Sequence, residues 1–359
     1  MKILFILHYP PPVHGAAAVG LQIKESKIIN DAFECNYINL GTSVTIDEIG
    51  GGKFIKLIRY LSIVGQVLKS IILTRPDLCY LTITSKGPPF YKDASIVLLL
   101  KLARIKLIYH FHNKGVHERQ DKYIDNLIYR FVFKNSYVIL LSQFLYPDID
   151  KYVLKKNVFY CPNGISDLEI RPVKKKENNV VELLFLSNLI ESKGVYVLLE
   201  ACKILHVKNL VFNCTFVGGI GDISEQMFLS KLEELNLLEC VNYAGKKFGK
   251  DKDIAFSNSD IFILPTLNDC FPLVLLEAMQ YSIPVVSTFE GGIQDIVEDG
   301  VTGFLVQQKN VEELAKKLEL LIKSTELRQQ MGIAARKKFE TEFTSQIFEN
   351  RFKEILQQV

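Results

Sequence analysis

The chain of 359 residues is too long for one ordinary core and long enough for two domains, each able to bury a stable interior. With 48% hydrophobic and 23% charged residues it is neither disordered nor fibrous, and 43 basic against 40 acidic residues leave a net charge of only +3, which excludes an overall nucleic-acid footprint. Seven cysteines, scattered singly with no C-x-x-C, fit reduced thiols and a cytoplasmic setting better than a disulfide framework or a zinc site.

Residues 1–7 carry one lysine and a five-residue apolar run, too short for the apolar region of a signal peptide, and read as a first strand. The strand runs through His8 and three prolines to Gly15, Ala16, Ala17 and Ala18. Small residues at a helix start let backbone approach a phosphate or sugar closely, although an ordinary tight turn would use them as well. Over 53–75, Lys53, Lys56, Arg59 and Lys69 interleave with Phe54, Leu57, Ile58, Leu61, Val64 and Leu68 at helical spacing. Such a stripe suits either a peripheral contact with an anionic bilayer or one core-packed helix. The charges within 54–74 and 94–111 exclude both stretches as membrane spans.

Short β-rich runs at 3–7, 36–40, 78–83, 106–111, 137–141 and 158–161 alternate with longer segments of helical period, the pattern of a parallel sheet covered on both faces. His110 and His112 fall at the carboxyl end of the fourth run. No acidic partner stands at ligand spacing, which argues against zinc and leaves a polar contact to a sugar or a structural hydrogen bond. Residues 171–179, with three consecutive lysines and no apolar period, read as a solvated linker. The second half repeats the pattern, with runs at 183–186, 212–217, 241–244, 261–264, 284–287 and 304–306. Asn310 with Glu313 then predicts a capped helix, and a last stripe runs from Phe343 to Leu356.

The segment Pro-Thr-Leu-Asn-Asp-Cys-Phe-Pro-Leu-Val-Leu-Leu-Glu-Ala-Met-Gln, 265–280, directly follows a strand. Pro272 suits a first helical turn, so Asp269 falls in the loop and Glu277 on the helix. A helix N-terminus at the carboxyl end of a strand is where open α/β sheets bind ligands, and its free N–H groups favour a phosphate. Two carboxylates could then bracket a nucleotide diphosphate by accepting hydrogen bonds from ribose and sugar hydroxyls; a capping Asp and a surface Glu are the plainer alternative. Lys193, in Ser192-Lys193-Gly194 after the second half's first strand, could neutralise a departing diphosphate, or be a solvated loop lysine. The run Gly218-Gly219-Ile220-Gly221 has Ser224 where a third glycine would complete a nicotinamide fingerprint.

Together these segments resemble glycosyltransferase family 4, the retaining GT-B enzymes. The resemblance covers nearly the whole chain: the Gly15 loop, His112, Pro162-Asn163-Gly164-Ile165, Ser192-Lys193-Gly194, Gly218-Gly219, the Asp269 to Glu277 segment, and 291–304. It implies an α/β fold of two Rossmann-like domains with parallel sheets facing a central cleft. The acceptor-side domain would be 1–171 plus 338–359, its final helix crossing back, and the nucleotide-sugar domain 172–337. Donor binding would fall to Gly15, Ala16, Asn188, Lys193, Asp269, Cys270, Phe271, Pro272, Leu273 and Glu277, and catalysis to His112, Lys193 and Asp269, with no metal. The family's motif is Glu, seven residues, then Glu; here Glu277 matches the second and Asp269 replaces the first. Asn188 stands where the family has an arginine in a Gly-Arg-Leu segment.

The function so implied is retaining, metal-independent transfer from a UDP-sugar to a saccharide or lipid-linked acceptor in surface polysaccharide biosynthesis, in the cytoplasm or peripherally at the inner face of the membrane. Three rivals stand beside it: a nucleotide-sugar epimerase sharing GT-B architecture, a non-catalytic sugar-nucleotide-binding homologue, and a nicotinamide oxidoreductase, which the incomplete glycine fingerprint disfavours.

Overall fold

In the computed structural model, residues 1–11, 15–41, 53–168 and 180–359 are described; the expected linker 171–179 and Pro12 to His14 lie outside them. The chain divides into two units, Met1–Asn163 with Ser345–Val359, and Gly164–Thr344.

In the first unit, β1 (Lys2–Leu7), β2 (Glu34–Asn39), β3 (Leu78–Ile83), β4 (Lys106–Phe111), β5 (Tyr137–Leu140) and β6 (Val158–Tyr160) pair in parallel in the order β2-β1-β3-β4-β5-β6. The apolar runs account for this: five of the six β1 residues and all six of β3 are buried, as strands covered on both faces must be. Parallel strands need crossovers, supplied by α1 (Gly15–Glu25), α2 (Lys27–Ala32), α3 (Lys53–Leu73), α4 (Gly87–Leu102), α5 (Val116–Arg119) and α6 (Tyr123–Phe133). The chain leaves β1 for β2 on one side and returns to β3 on the other, with Ile3 opposite Leu78, so β1 and β3 flank a topological switch point. The last helix, α14 (Ser345–Gln358), belongs to this unit and packs against α2, with Phe352 set edge-on to the Tyr80 ring at 5.1 Å between centroids. Burial of a ring the size of Phe352 contributes roughly 2–3 kcal/mol, which holds the C-terminal segment to this core.

The second unit repeats the design with β7 (Val181–Leu186), β8 (Phe212–Val217), β9 (Val241–Tyr243), β10 (Ile261–Leu264), β11 (Val285–Thr288) and β12 (Gly303–Val306), again parallel, in the order β12-β11-β10-β7-β8-β9. Its helices are α7 (Val195–Val207), α8 (Glu225–Leu235), α9 (Lys250–Asn258), α10 (Leu273–Gln280), α11 (Ile293–Ile296), α12 (Val311–Lys323) and α13 (Thr325–Glu342). Ile261 lies opposite Leu183, so the switch point falls between β7 and β10. The loops after these two strands, residues 187–194 and 265–272, therefore meet at the carboxyl edge. Asn310 caps α12 as its spacing predicts, accepting the Glu313 N–H at 3.0 Å, but Glu313 turns to the Gln307 N–H at 2.9 Å.

Every strand expected from the sequence occurs, with ends shifted by at most two residues. Helix α3 buries one narrow face at Ile63, Val67 and Ser70, while most of the stripe at 53–75 whose side chains are described lies outside the core. Pro272 sits one residue before α10 rather than inside its first turn, with φ −70° and ψ 113°. Either position tolerates its missing N–H.

Candidate functional site

At the switch point of the second unit, the two loops are joined through backbone. Ser192 O accepts the Leu267 N–H at 2.7 Å and the Thr266 hydroxyl at 3.1 Å. Gly194 adopts φ +83°, and a Cβ there would lie 2.1 Å from Pro265 O, so only glycine lets the loops approach this closely. The approach brings Lys193 onto Asp269: Nζ to Oδ2 is 2.5 Å, with the two side chains 24% and 19% exposed. Asp269 also takes the Cys270 N–H on its other oxygen at 3.1 Å.

The Asp269 backbone is held from the next loop along. Its N–H donates to Glu290 Oε1 at 3.1 Å, and Glu290 Oε2 accepts from Gln308 at 2.9 Å. Gly291, at φ +49°, could not carry a side chain without meeting Asp269 O at 2.5 Å. Glu290 is 8% exposed and anchors the loop that presents Asp269. Sequence reasoning did not single it out, because nothing in its spacing from Asp269 marks the pairing.

Glu277, on α10, pairs with Lys252 of α9 at 2.8 Å, an ion pair likewise missed because 25 residues separate the two. The Cys270 and Phe271 side chains are buried, at 7% and 5% exposure, and Pro272 is buried too. What this segment can offer a ligand is its backbone, together with the first N–H groups of α10 at Leu273 and after, which have no intrahelical acceptor. Asn188 lies in the β7 loop and accepts the Gly219 N–H at 2.9 Å. Asn188, Lys193, Asp269, Leu273 and Glu277 thus all lie on elements that leave the β7/β10 edge.

In the first unit, Gly15 and Ala16 open α1 at the carboxyl edge of β1. Among the described residues other than its chain neighbours and its own helix backbone, no atom lies within 4 Å of a Cβ built on Gly15. The close backbone contact in α1 is made instead by Gly20, whose Cβ would meet His8 O at 1.8 Å. His110 is fully buried, with Nδ1 2.8 Å from the Tyr80 hydroxyl, and burial first, then His112, push its pKa well below the ordinary value. His110 is therefore a neutral core histidine. His112 is half-buried beside it, with ring centroids 4.2 Å apart. The loop that follows is tied to Asp148, whose carboxylate accepts the Gly115, Val116 and His117 N–H groups at 2.9–3.2 Å. Among the described residues, no three His, Cys, Asp or Glu side chains are grouped to hold a metal ion.

The model for the family described as glycosyl transferases group 1 matches residues 166–338, nearly all of the second unit. The second unit carries the match to the glycosyl transferases group 1 family. Two similar proteins are glycosyltransferases by name. The amylovoran biosynthesis glycosyltransferase AmsK of Erwinia amylovora is 32% identical over 185 residues, which cover 50% of this chain and 45% of AmsK. The capsular polysaccharide biosynthesis glycosyltransferase CapM of Staphylococcus aureus is 30% identical over 168 residues, 45% of this chain and 42% of CapM. The match therefore spans about half the length of these curated relatives. Anabaena HepE, solved in complex with UDP and glucose, superposes with a TM-score of 0.73 over 100% of both chains at 18% identity. The shared fold is GT-B, and the glycosyl transferases group 1 unit is the one that carries the Lys193, Asp269 and Glu277 arrangement.

Proposed function

We propose that the chain is a retaining glycosyltransferase that moves a sugar from a UDP-sugar, without a metal ion, to a saccharide or lipid-linked oligosaccharide acceptor in surface polysaccharide biosynthesis. The observation that carries this reading is the Lys193–Asp269 pair at the β7/β10 switch point, with Glu277 on the helix that starts there. The polysaccharide setting is supported by the name of CapM, and the UDP donor by the HepE complex.

Cleaving a sugar–phosphate bond builds oxocarbenium character on the sugar and negative charge on the departing diphosphate. Lys193 and the N-terminus of α10 answer the diphosphate charge. Glu277 accepts hydrogen bonds from the ribose hydroxyls, and Asp269 and His112 orient the sugar, while the small residues Gly15 and Ala16 let the donor close in. The acceptor hydroxyl attacks the anomeric carbon on the face the phosphate leaves. Its oxygen forms the new bond as the sugar–phosphate bond breaks, and its proton passes to the departing phosphate oxygen. Configuration is retained and no enzymic nucleophile is consumed. Helix α3 holds the chain peripherally to the cytoplasmic face of the membrane, where a lipid-linked acceptor would lie.

A thermal-shift panel of nucleotide sugars tests the donor assignment, since a ligand that binds the folded state raises its apparent stability. A UDP-sugar is expected to raise the unfolding temperature and to be turned over only when acceptor is present. Glu277→Ala should weaken its binding by about 30-fold, as loss of hydrogen bonds to a charged group costs roughly 2 kcal/mol. Unchanged turnover of Glu277→Ala at low donor would sink the ribose assignment. Donor consumed without acceptor would identify an epimerase, and donor binding without transfer or hydrolysis a non-catalytic binding protein.

A further inference from the structure

The cations at the carboxyl edge of the second sheet differ in how they are engaged. Lys193 is paired with Asp269 and Lys252 with Glu277. Each pair is close to neutral as a unit. Lys246, in the loop after β9, makes no ion pair among the described residues. Its side chain is nonetheless directed: a Cβ built on Gly219 would lie 2.2 Å from Lys246 Cε, 3.2 Å from Lys246 Nζ and 3.0 Å from Asn188 Oδ1. The lysine stem therefore crosses the bare face of Gly219, and its ammonium and the Asn188 amide approach the same point.

Three loops are pinned to make this arrangement. Asn188 Oδ1 accepts the Gly219 N–H at 2.9 Å, Gly218 N–H donates to Gly245 O at 2.9 Å, and the Tyr243 hydroxyl donates to Gly218 O at 2.8 Å. Leu189 N–H closes the set on Gly219 O at 2.7 Å. Lys246 is thus carried beside the same β7 loop that delivers Lys193. A departing nucleoside diphosphate carries more than one negative charge, and Lys193, whose charge is shared with Asp269, answers only part of it.

We infer that Lys246 is the second cation of the donor-phosphate site, its ammonium reaching the diphosphate across Gly219 and supplying the positive charge that Asn188 does not. This rests on the reading of the second unit as a nucleotide-sugar site. Gly219 is required because any side chain there would displace the lysine stem.

Calorimetric titration of the 359-residue chain with UDP and with uridine separates the phosphate contact from the nucleoside contact. Lys246→Ala is expected to weaken UDP by about 10- to 100-fold, the effect of one charge-assisted contact, while changing uridine by less than about twofold. Lys246→Arg should retain UDP within about threefold. Adding Asn188→Arg to Lys246→Ala should recover most of the loss, because the new guanidinium starts from the loop position next to the lysine's target. Unchanged UDP affinity in Lys246→Ala, with the native chain binding UDP, would overturn this inference alone. Equal losses for UDP and uridine would make Lys246 a loop-positioning residue and also overturn it. A native chain that binds neither ligand would overturn the nucleotide-sugar reading itself.

Discussion

Asp93, on α4, shows how a single buried carboxyl couples the first unit to pH. One oxygen accepts the Thr84 N–H at 2.9 Å, and the other has no hydrogen-bond partner. Burial, only partly offset by neighbouring Lys92, pushes its pKa up from 3.8 to about 6. Below pH 3.8 the carboxyl is neutral whether the chain is folded or not. As pH rises from there to 6, the unfolded chain ionises while the folded one does not, so stability is lost across that window, by at most about 3 kcal/mol. Asp93→Asn has no such slope. Urea unfolding at pH 4 and pH 7 should show the variant gaining on the native chain by up to about 3 kcal/mol at the higher pH. A difference independent of pH would mean that Asp93 ionises as freely folded as unfolded. The same scale sets the limit of what sequence could say about the candidate site. The strand-then-proline-then-helix order placed Asp269 in a loop and Glu277 on a helix, because those are local rules. Their ionic partners Lys193 and Lys252, the Glu290 anchor and the Lys246 stem over Gly219 depend on which loops meet at a sheet edge, which no spacing along the chain encodes.

Among elements, α3 departs furthest from what a core helix would show. Phe54, Ile55, Leu57, Ile58, Leu61, Leu68, Ile72 and Leu73 are all exposed, and its 21 residues include four basic and no acidic side chains. The apolar period in the sequence fits a core helix and a surface-binding helix equally well; burial separates them. Exposed apolar residues continue onto neighbouring α4 at Leu98 and Leu102, and from there to α6 at Tyr123, Ile124 and Leu127. A second copy packing its α3 on this one would set basic side chains against basic side chains. An anionic bilayer fits both properties, each basic side chain near its surface adding about 1 kcal/mol. No helix of the described residues is long and apolar enough to cross a membrane, so the contact would be peripheral. The chain should float with vesicles containing phosphatidylglycerol and not with neutral ones, and Leu57→Glu with Leu61→Glu should cut that binding at least about tenfold. Absence of flotation with anionic vesicles would rule the contact out. The strands, by contrast, were legible almost to the residue, since short β-branched runs between helical segments have one reading in a parallel α/β sheet.

At the scale of the whole molecule, the described residues build a six-stranded parallel sheet in each unit, with different strand orders, and each has its own core and its own switch point. The proposed chemistry divides along the same line. Nucleotide and diphosphate fall to loops of the second unit, at 187–194, 218–221, 244–246 and 265–277, whereas Gly15, Ala16 and His112, assigned to the sugar, belong to the first. Hydrogen exchange can read the two parts separately, because each loop amide reports its own opening equilibrium. UDP should slow exchange in those four segments of the second unit and leave the start of α1 and the loop after β4 unchanged. A UDP-sugar that is a true donor should add protection at Ala16 and around His112, the residues the proposed function assigns to the sugar. Protection of the first unit by UDP alone would move the nucleotide away from the β7/β10 edge. Protection by the intact donor confined to the second unit would remove Gly15, Ala16 and His112 from the donor site and leave Lys193, Lys246, Asp269 and Glu277 to hold it by themselves.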